Sequence, residues 1–63
     1  MPIIIVEALE GRTVEQKRAL VKYITEVVMR DFKVPADAVS VIIHDVPTCN
    51  IARAGTLRID KKP

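Results

Sequence analysis

Sixty-three residues suffice for one domain, spanning 1–63, and a chain this short buries only about 60% of the surface its unfolded form exposes. One cysteine excludes an internal disulfide, and no Cys/His cluster has the spacing of a structural zinc site, so no staple, metal or cofactor is expected. Ten Lys and Arg against eight Asp and Glu leave a net charge of +2, with one Phe, one Tyr and no Trp; interspersed signs and so few stacking rings argue against a nucleic-acid binder and suit a small anionic ligand.

After Met1 come Pro2 and a β-branched run, Ile3-Ile4-Ile5-Val6, which predicts a strand from Pro2 to Leu9 covered on both faces. That run is too short for the apolar region of a signal peptide, and Glu7 follows with no basic leader, so none is expected. Gly11 breaks the strand. Thr13-Val14-Glu15-Gln16 then has the form of a capping box, in which Thr13 caps the first amides of a helix and Gln16 reaches back. Leu20, Ile24, Val27, Val28 and Phe32 recur at three- and four-residue steps, with Lys17, Lys22, Glu26 and Arg30 outside that stripe, so the helix is amphipathic. Pro35 stops it, because the residue before a proline is pushed out of helical geometry.

Pro35-Ala36-Asp37-Ala38 reads as a single turn leading into a second strand, Val39 to His44, which is rich in β-branched residues and is ended by Pro47. His44 and Asp45 read as the polar end of that strand, and Cys49 as a small packing residue with no base beside it. From Thr48 to Asp60, Asn50 and Gly55 mark a short hairpin or edge strand. The basic excess gathers partly in Arg58, Lys61 and Lys62.

Two strands joined through a helix make a βαβ unit with a right-handed crossover, so the expected class is α+β: a parallel two-stranded sheet, one amphipathic helix and a C-terminal hairpin. The helix covers one sheet face. The other stays bare, and 49% hydrophobic residues in so small a chain point to burial against further copies, a homo-oligomer. With no membrane span and an unpaired Cys49, a cytoplasmic location is expected.

The initial Met-Pro-Ile, Leu9-Glu10-Gly11-Arg12-Thr13, Glu15-Gln16-Lys17 and the strand from Val39 to Asp45 together resemble the 4-oxalocrotonate tautomerase family over nearly the whole chain. The resemblance implies β-α-β subunits, commonly hexamers built as trimers of dimers, with the mature N-terminal proline as acid-base catalyst. Read without it, Pro2 is a proline at the head of a strand, where a missing N–H costs no ladder hydrogen bond. Read with it, removal of Met1 turns an amide nitrogen into a secondary amine, which a dry cavity and nearby arginines keep neutral.

By the same resemblance Arg12 binds a substrate carboxylate through its planar two-pronged guanidinium and steadies developing enolate charge. Two departures stand out. Ser40 occupies the place of a second arginine that another subunit supplies in the family, and Ile51 stands where an aromatic residue often lines the pocket. The substrate-binding set implied is therefore Arg12, Ser40, Ile51 and Arg53, the last a candidate replacement for the missing arginine or simply a surface hairpin residue.

The expected activity is enol–keto proton transfer on a small 2-oxo or 2-hydroxy-enoic acid. Two alternatives stand beside it: hydration or dehalogenation of unsaturated acids, and a catalytically silent assembly module should Met1 be retained. A ribbon-helix-helix DNA binder fits poorly, because Pro35 leads into a β-branched strand where that fold continues into a second helix.

Overall fold

A computed structural model describes residues 1–61; Lys62, counted above in the basic tail, lies outside them. Strand β1 (Ile3–Leu9) leads through Gly11 into helix α1 (Val14–Phe32), and strand β2 (Ser40–Val46) returns beside β1 in parallel. Short strands β3 (Ala52–Arg53) and β4 (Thr56–Leu57) form an antiparallel hairpin, as the Gly55 signal predicts. One-turn 3-10 segments at Ala36–Ala38, Thr48–Asn50 and Arg58–Asp60 complete the connections. Among the described residues no helix is long and apolar enough to cross a membrane.

Helix α1 starts where the capping box places it. The Thr13 hydroxyl accepts from the Gln16 N–H at 3.1 Å, and the Gln16 side chain accepts from the Thr13 N–H at 2.9 Å. Both donors belong to the first turn, which has no intrahelical acceptors for them. The helix stops one residue earlier than Pro35 alone requires: Lys33 adopts φ 55°, the left-handed conformation that closes a helix C-terminus. Gly11 at φ 115° makes the reversal from strand to helix, a region closed to side-chain-bearing residues.

Strand limits shift slightly from those expected. β1 begins at Ile3, with Pro2 just outside, and β2 runs from Ser40 to Val46 rather than from Val39 to His44. The register explains both shifts. Ile3 pairs with Ser40 and Leu9 with Val46, so the ladder extends as long as each strand finds a partner, and the Glu10 N–H still reaches the Val46 carbonyl at 3.0 Å.

Side chains alternate across the sheet. Ile4, Val6 and Ala8 of β1 share the α1 side with Val41, Ile43 and Asp45, while Ile3, Ile5 and Ile42 occupy the open side and are 59%, 56% and 43% exposed. The open face is less uniformly apolar than the sequence suggests, because it also carries Glu7 opposite His44, whose ring Nδ1 lies 2.7 Å from the Glu7 carboxylate.

The helix stripe also divides. Ile24 and Val28 are half-buried with Val21 and Lys17, whereas Leu20, Tyr23, Val27 and Phe32 remain exposed. An apolar arc wider than one two-stranded sheet can cover leaves its edge in solvent.

No side chain among the described residues is buried. The accessible surface is 5178 Å², against about 4,000 Å² for a compact folded monomer of this mass. The radius of gyration, 15.1 Å, likewise exceeds the roughly 11 Å of a compact chain of this length. One helix on two strands has no interior, so the sheet needs a further covering layer to be stable.

Thr13→Ala removes one of the two reciprocal cap bonds. We expect a loss of about 1 kcal/mol, measured by urea unfolding at fixed protein concentration, with unchanged helix content before the transition.

Candidate active site

The strand acts as a ruler that separates the candidate residues. Pro2 is half-buried at the head of β1, and its carbonyl accepts the Ser40 N–H at 3.0 Å. These two residues therefore share one end of the sheet. Seven residues of extended chain, about 23 Å at ~3.3 Å each, separate Pro2 from Leu9, and Arg12 lies beyond that. No single protomer brings Pro2 and Arg12 together.

At the far end two cavities flank the strands. The first, of about 240 Å³, lies between sheet and helix and is walled by Val6, Ala8, Leu20 and Ile43, with Arg12 and Lys17 at its rim. Asp45 faces it too, but its carboxylate is held by Lys17 Nζ at 2.6 Å. Arg12 is exposed and forms no ion pair among the described residues, so its guanidinium is free to take an anion.

The second cavity, of about 490 Å³, opens between the end of β1 and the C-terminal hairpin. Ile51 and Arg53, the two candidates from the last stretch of chain, both line it, together with Leu9, Thr56, Arg58 and Lys61. The Thr48 N–H, in the turn that leads into the hairpin, reaches the Glu10 carboxylate at 3.2 Å, and the bond from the Arg58 N–H to the Ile51 carbonyl at 2.8 Å continues the hairpin's own ladder. Leu9, Arg58 and Lys61 escaped the sequence reading as site residues. Their only sequence signals, an apolar strand end and a basic tail, are shared by ordinary surfaces.

His44, set aside in the sequence reading as a polar strand end, pairs with Glu7 on the open sheet face. Cys49 is exposed, and its thiol lies 3.5 Å from the Asn50 side-chain oxygen.

A half-buried proline at a strand head, an unpaired arginine at the following turn and an apolar cavity beyond it match a known class of isomerase. The model of the Tautomerase enzyme family matches residues 2–60. A probable tautomerase of Streptococcus pneumoniae is 45% identical over 58 residues, covering 92% of this chain and 97% of the relative. One of Listeria monocytogenes is 37% identical over 60 residues, covering 95% and 98%. Among solved structures, a 4-oxalocrotonate tautomerase homologue superposes over all of both chains with a TM-score of 0.95 at 38% identity. A heterohexameric 4-oxalocrotonate tautomerase from Chloroflexus aurantiacus superposes with a TM-score of 0.88 at 29% identity over 98% of this chain and 100% of that one.

The chain belongs to the tautomerase family, in its 4-oxalocrotonate tautomerase branch, and is a tautomerase-type isomerase with the β-α-β fold of that branch.

Lys17→Met leaves Asp45 without its cation. Since both groups are part-exposed, at 29% and 44%, the expected destabilisation is at most about 1 kcal/mol, read by urea unfolding and diminished in high salt.

Proposed function

We propose that the protein, with Met1 removed, ketonises small 2-hydroxy-enoic acids with the Pro2 amine as acid-base catalyst. The placement of Pro2 carries this reading: its carbonyl is fixed by Ser40 and its ring is half-buried, in a chain that belongs to a family of tautomerases. The neutral amine takes the 2-hydroxyl proton of the enol as the carbonyl forms, and the alkene electrons shift to C3 or, in a conjugated diene, to its far alkene carbon. The protonated amine then returns that proton to carbon. Met1 is 86% exposed, open to the aminopeptidase that this chemistry requires.

A pyrrolidine amine is mostly protonated at neutral pH, and a base must be neutral. Enclosure by an apolar wall and the proximity of an arginine both disfavour the charged form, which brings the amine toward its working range. Activity then rises with pH as the amine deprotonates and is lost as pH falls.

The separation of Pro2 from Arg12 along β1 supports a site shared between copies, in a homo-oligomer whose hexameric form follows the assembly named for one structural neighbour. Arg12 binds the carboxylate next to the reacting enol, and Ile51 and Arg53 line the cavity. Ser40 contributes a hydroxyl where a cation would otherwise stand. The substrate is a small anion in a cytoplasmic setting, and the chain's own residues suffice without a cofactor.

Pro2→Ala should lower kcat for ketonisation of phenylenolpyruvate by about 10²–10⁴-fold, in material whose lack of Met1 is verified by intact mass. Arg12→Ala should lower kcat/KM roughly 10- to 100-fold. Co-refolding Pro2→Ala with Arg12→Ala protomers should recover a fraction of wild-type turnover that neither variant shows alone; no recovery would place both groups in one protomer.

A further inference from the structure

On the reading above, Arg12 and Ile51 both meet the substrate, yet neither sits on a regular element. Arg12 follows Gly11 in the turn between β1 and α1, and Ile51 follows the one-turn 3-10 segment Thr48–Asn50 that leads from β2 to the hairpin. Each turn is held locally. The capping box fixes Thr13 just after Arg12, and the Asn50 N–H donates to the Pro47 carbonyl at 2.8 Å just before Ile51. Such bonds within a turn do not set one turn against the other.

Glu10 spans the two. Its N–H donates to the Val46 carbonyl at 3.0 Å, one step past the last paired residues of β1 and β2, and its carboxylate accepts the Thr48 N–H at 3.2 Å. The main-chain bond fixes Glu10 beside Val46, and the side-chain bond carries the connection past Pro47, which has no N–H to offer. Thr48 opens its 3-10 segment, where the first N–H groups find no acceptor inside the turn, and Pro47 before it supplies no side-chain cap. The Glu10 carboxylate takes the place of that cap from across the sheet end. Among the described residues the other side-chain bonds between distant parts of the chain, Lys17 with Asp45 and His44 with Glu7, tie regular elements; the Glu10 bond ties two turns.

We propose that Glu10 is a positioning residue: by holding the Thr48 N–H, its carboxylate sets the turn that carries Ile51 against the turn that carries Arg12. The inference rests on the tautomerase reading and deepens it. One small substrate places its carboxylate at Arg12 and its apolar part against Ile51, so a shift between the turns spoils one contact or the other. Proton transfer is spared, because Pro2 stands at the opposite end of β1. The loss therefore falls on substrate binding.

Two substitutions remove the bond from opposite sides. Glu10→Ala deletes the acceptor. Thr48→Pro deletes the donor, and the backbone admits it: Pro47 has φ −62° and ψ 147°, the extended conformation required before a proline, and the first position of a helical turn suits one. Either variant, freed of Met1 and at wild-type oligomer mass, should raise KM for phenylenolpyruvate about three- to tenfold with kcat little changed. Calorimetric binding of the keto product, phenylpyruvate, should weaken by the same factor. Glu10→Gln, whose amide oxygen still accepts, should recover most of the loss. Because both changes break one bond, the double variant should be no worse than the worse single variant.

Wild-type KM and binding in Glu10→Ala overturn the proposal. So do effects that multiply in the double variant, or a Glu10→Gln as impaired as Glu10→Ala. Should Thr48→Pro fail to assemble, the comparison of Glu10→Ala with Glu10→Gln decides alone. Wild-type turnover that is indifferent to Glu10 sinks the positioning role alone, whereas weakened phenylpyruvate binding in Glu10→Ala with no wild-type turnover sinks the tautomerase reading alone.

Discussion

An open sheet face with nothing to cover it is the constraint on which this molecule depends. Two strands and one helix give each β-branched residue of the α1 side a neighbour, but leave Ile3, Ile5 and Ile42 half-exposed on the other. With no side chain buried among the described residues, the protomer obtains little stability from its own contacts, because apolar area removed from water is the main favourable contribution to folding. The exposed edge of the helix stripe, at Tyr23, Val27 and Phe32, adds to the same deficit.

The same shortage of material shapes the chemistry. In a larger enzyme a loop folds back to carry an arginine to the catalytic group. Here β1 is a rigid spacer with Pro2 at its head and the Gly11-Arg12 turn past its tail, and the remaining chain returns along β2 to the same far end. The residues around each end are thus fixed by hydrogen bonds, and on the proposed reading each end holds only part of the site. Burial and catalysis call for one remedy, a neighbouring protomer.

Charge refines this picture. The Glu7–His44 pair sits on the open face at one step of the ladder, so a slip of one residue would carry His44 to the helix side and leave Glu7 unpartnered. Lys17 and Asp45 perform a comparable task on the helix side, tying α1 to β2. Among the described residues Arg12, Arg53, Arg58 and Lys61 form no ion pair, so the cations that line the far-end cavities stay uncompensated by the chain's own carboxylates.

Local chemistry made much of this readable in the sequence. Thr13 and Gln16 lie three residues apart, so the cap that starts α1 is a short-range event, and the β-branched runs set the two strands for the same reason. Gly55 announced a hairpin because positive φ is a local demand. The helix end was harder, since Lys33 takes a left-handed conformation that no local rule assigns to lysine. Which half of the apolar stripe faces the sheet, the pairing of Glu7 with His44, and the gathering of Arg53, Arg58 and Lys61 around Leu9 are tertiary outcomes. They join residues as far apart in sequence as Leu9 and Lys61, and only the parallel register and the fold-back of the hairpin bring such residues within reach.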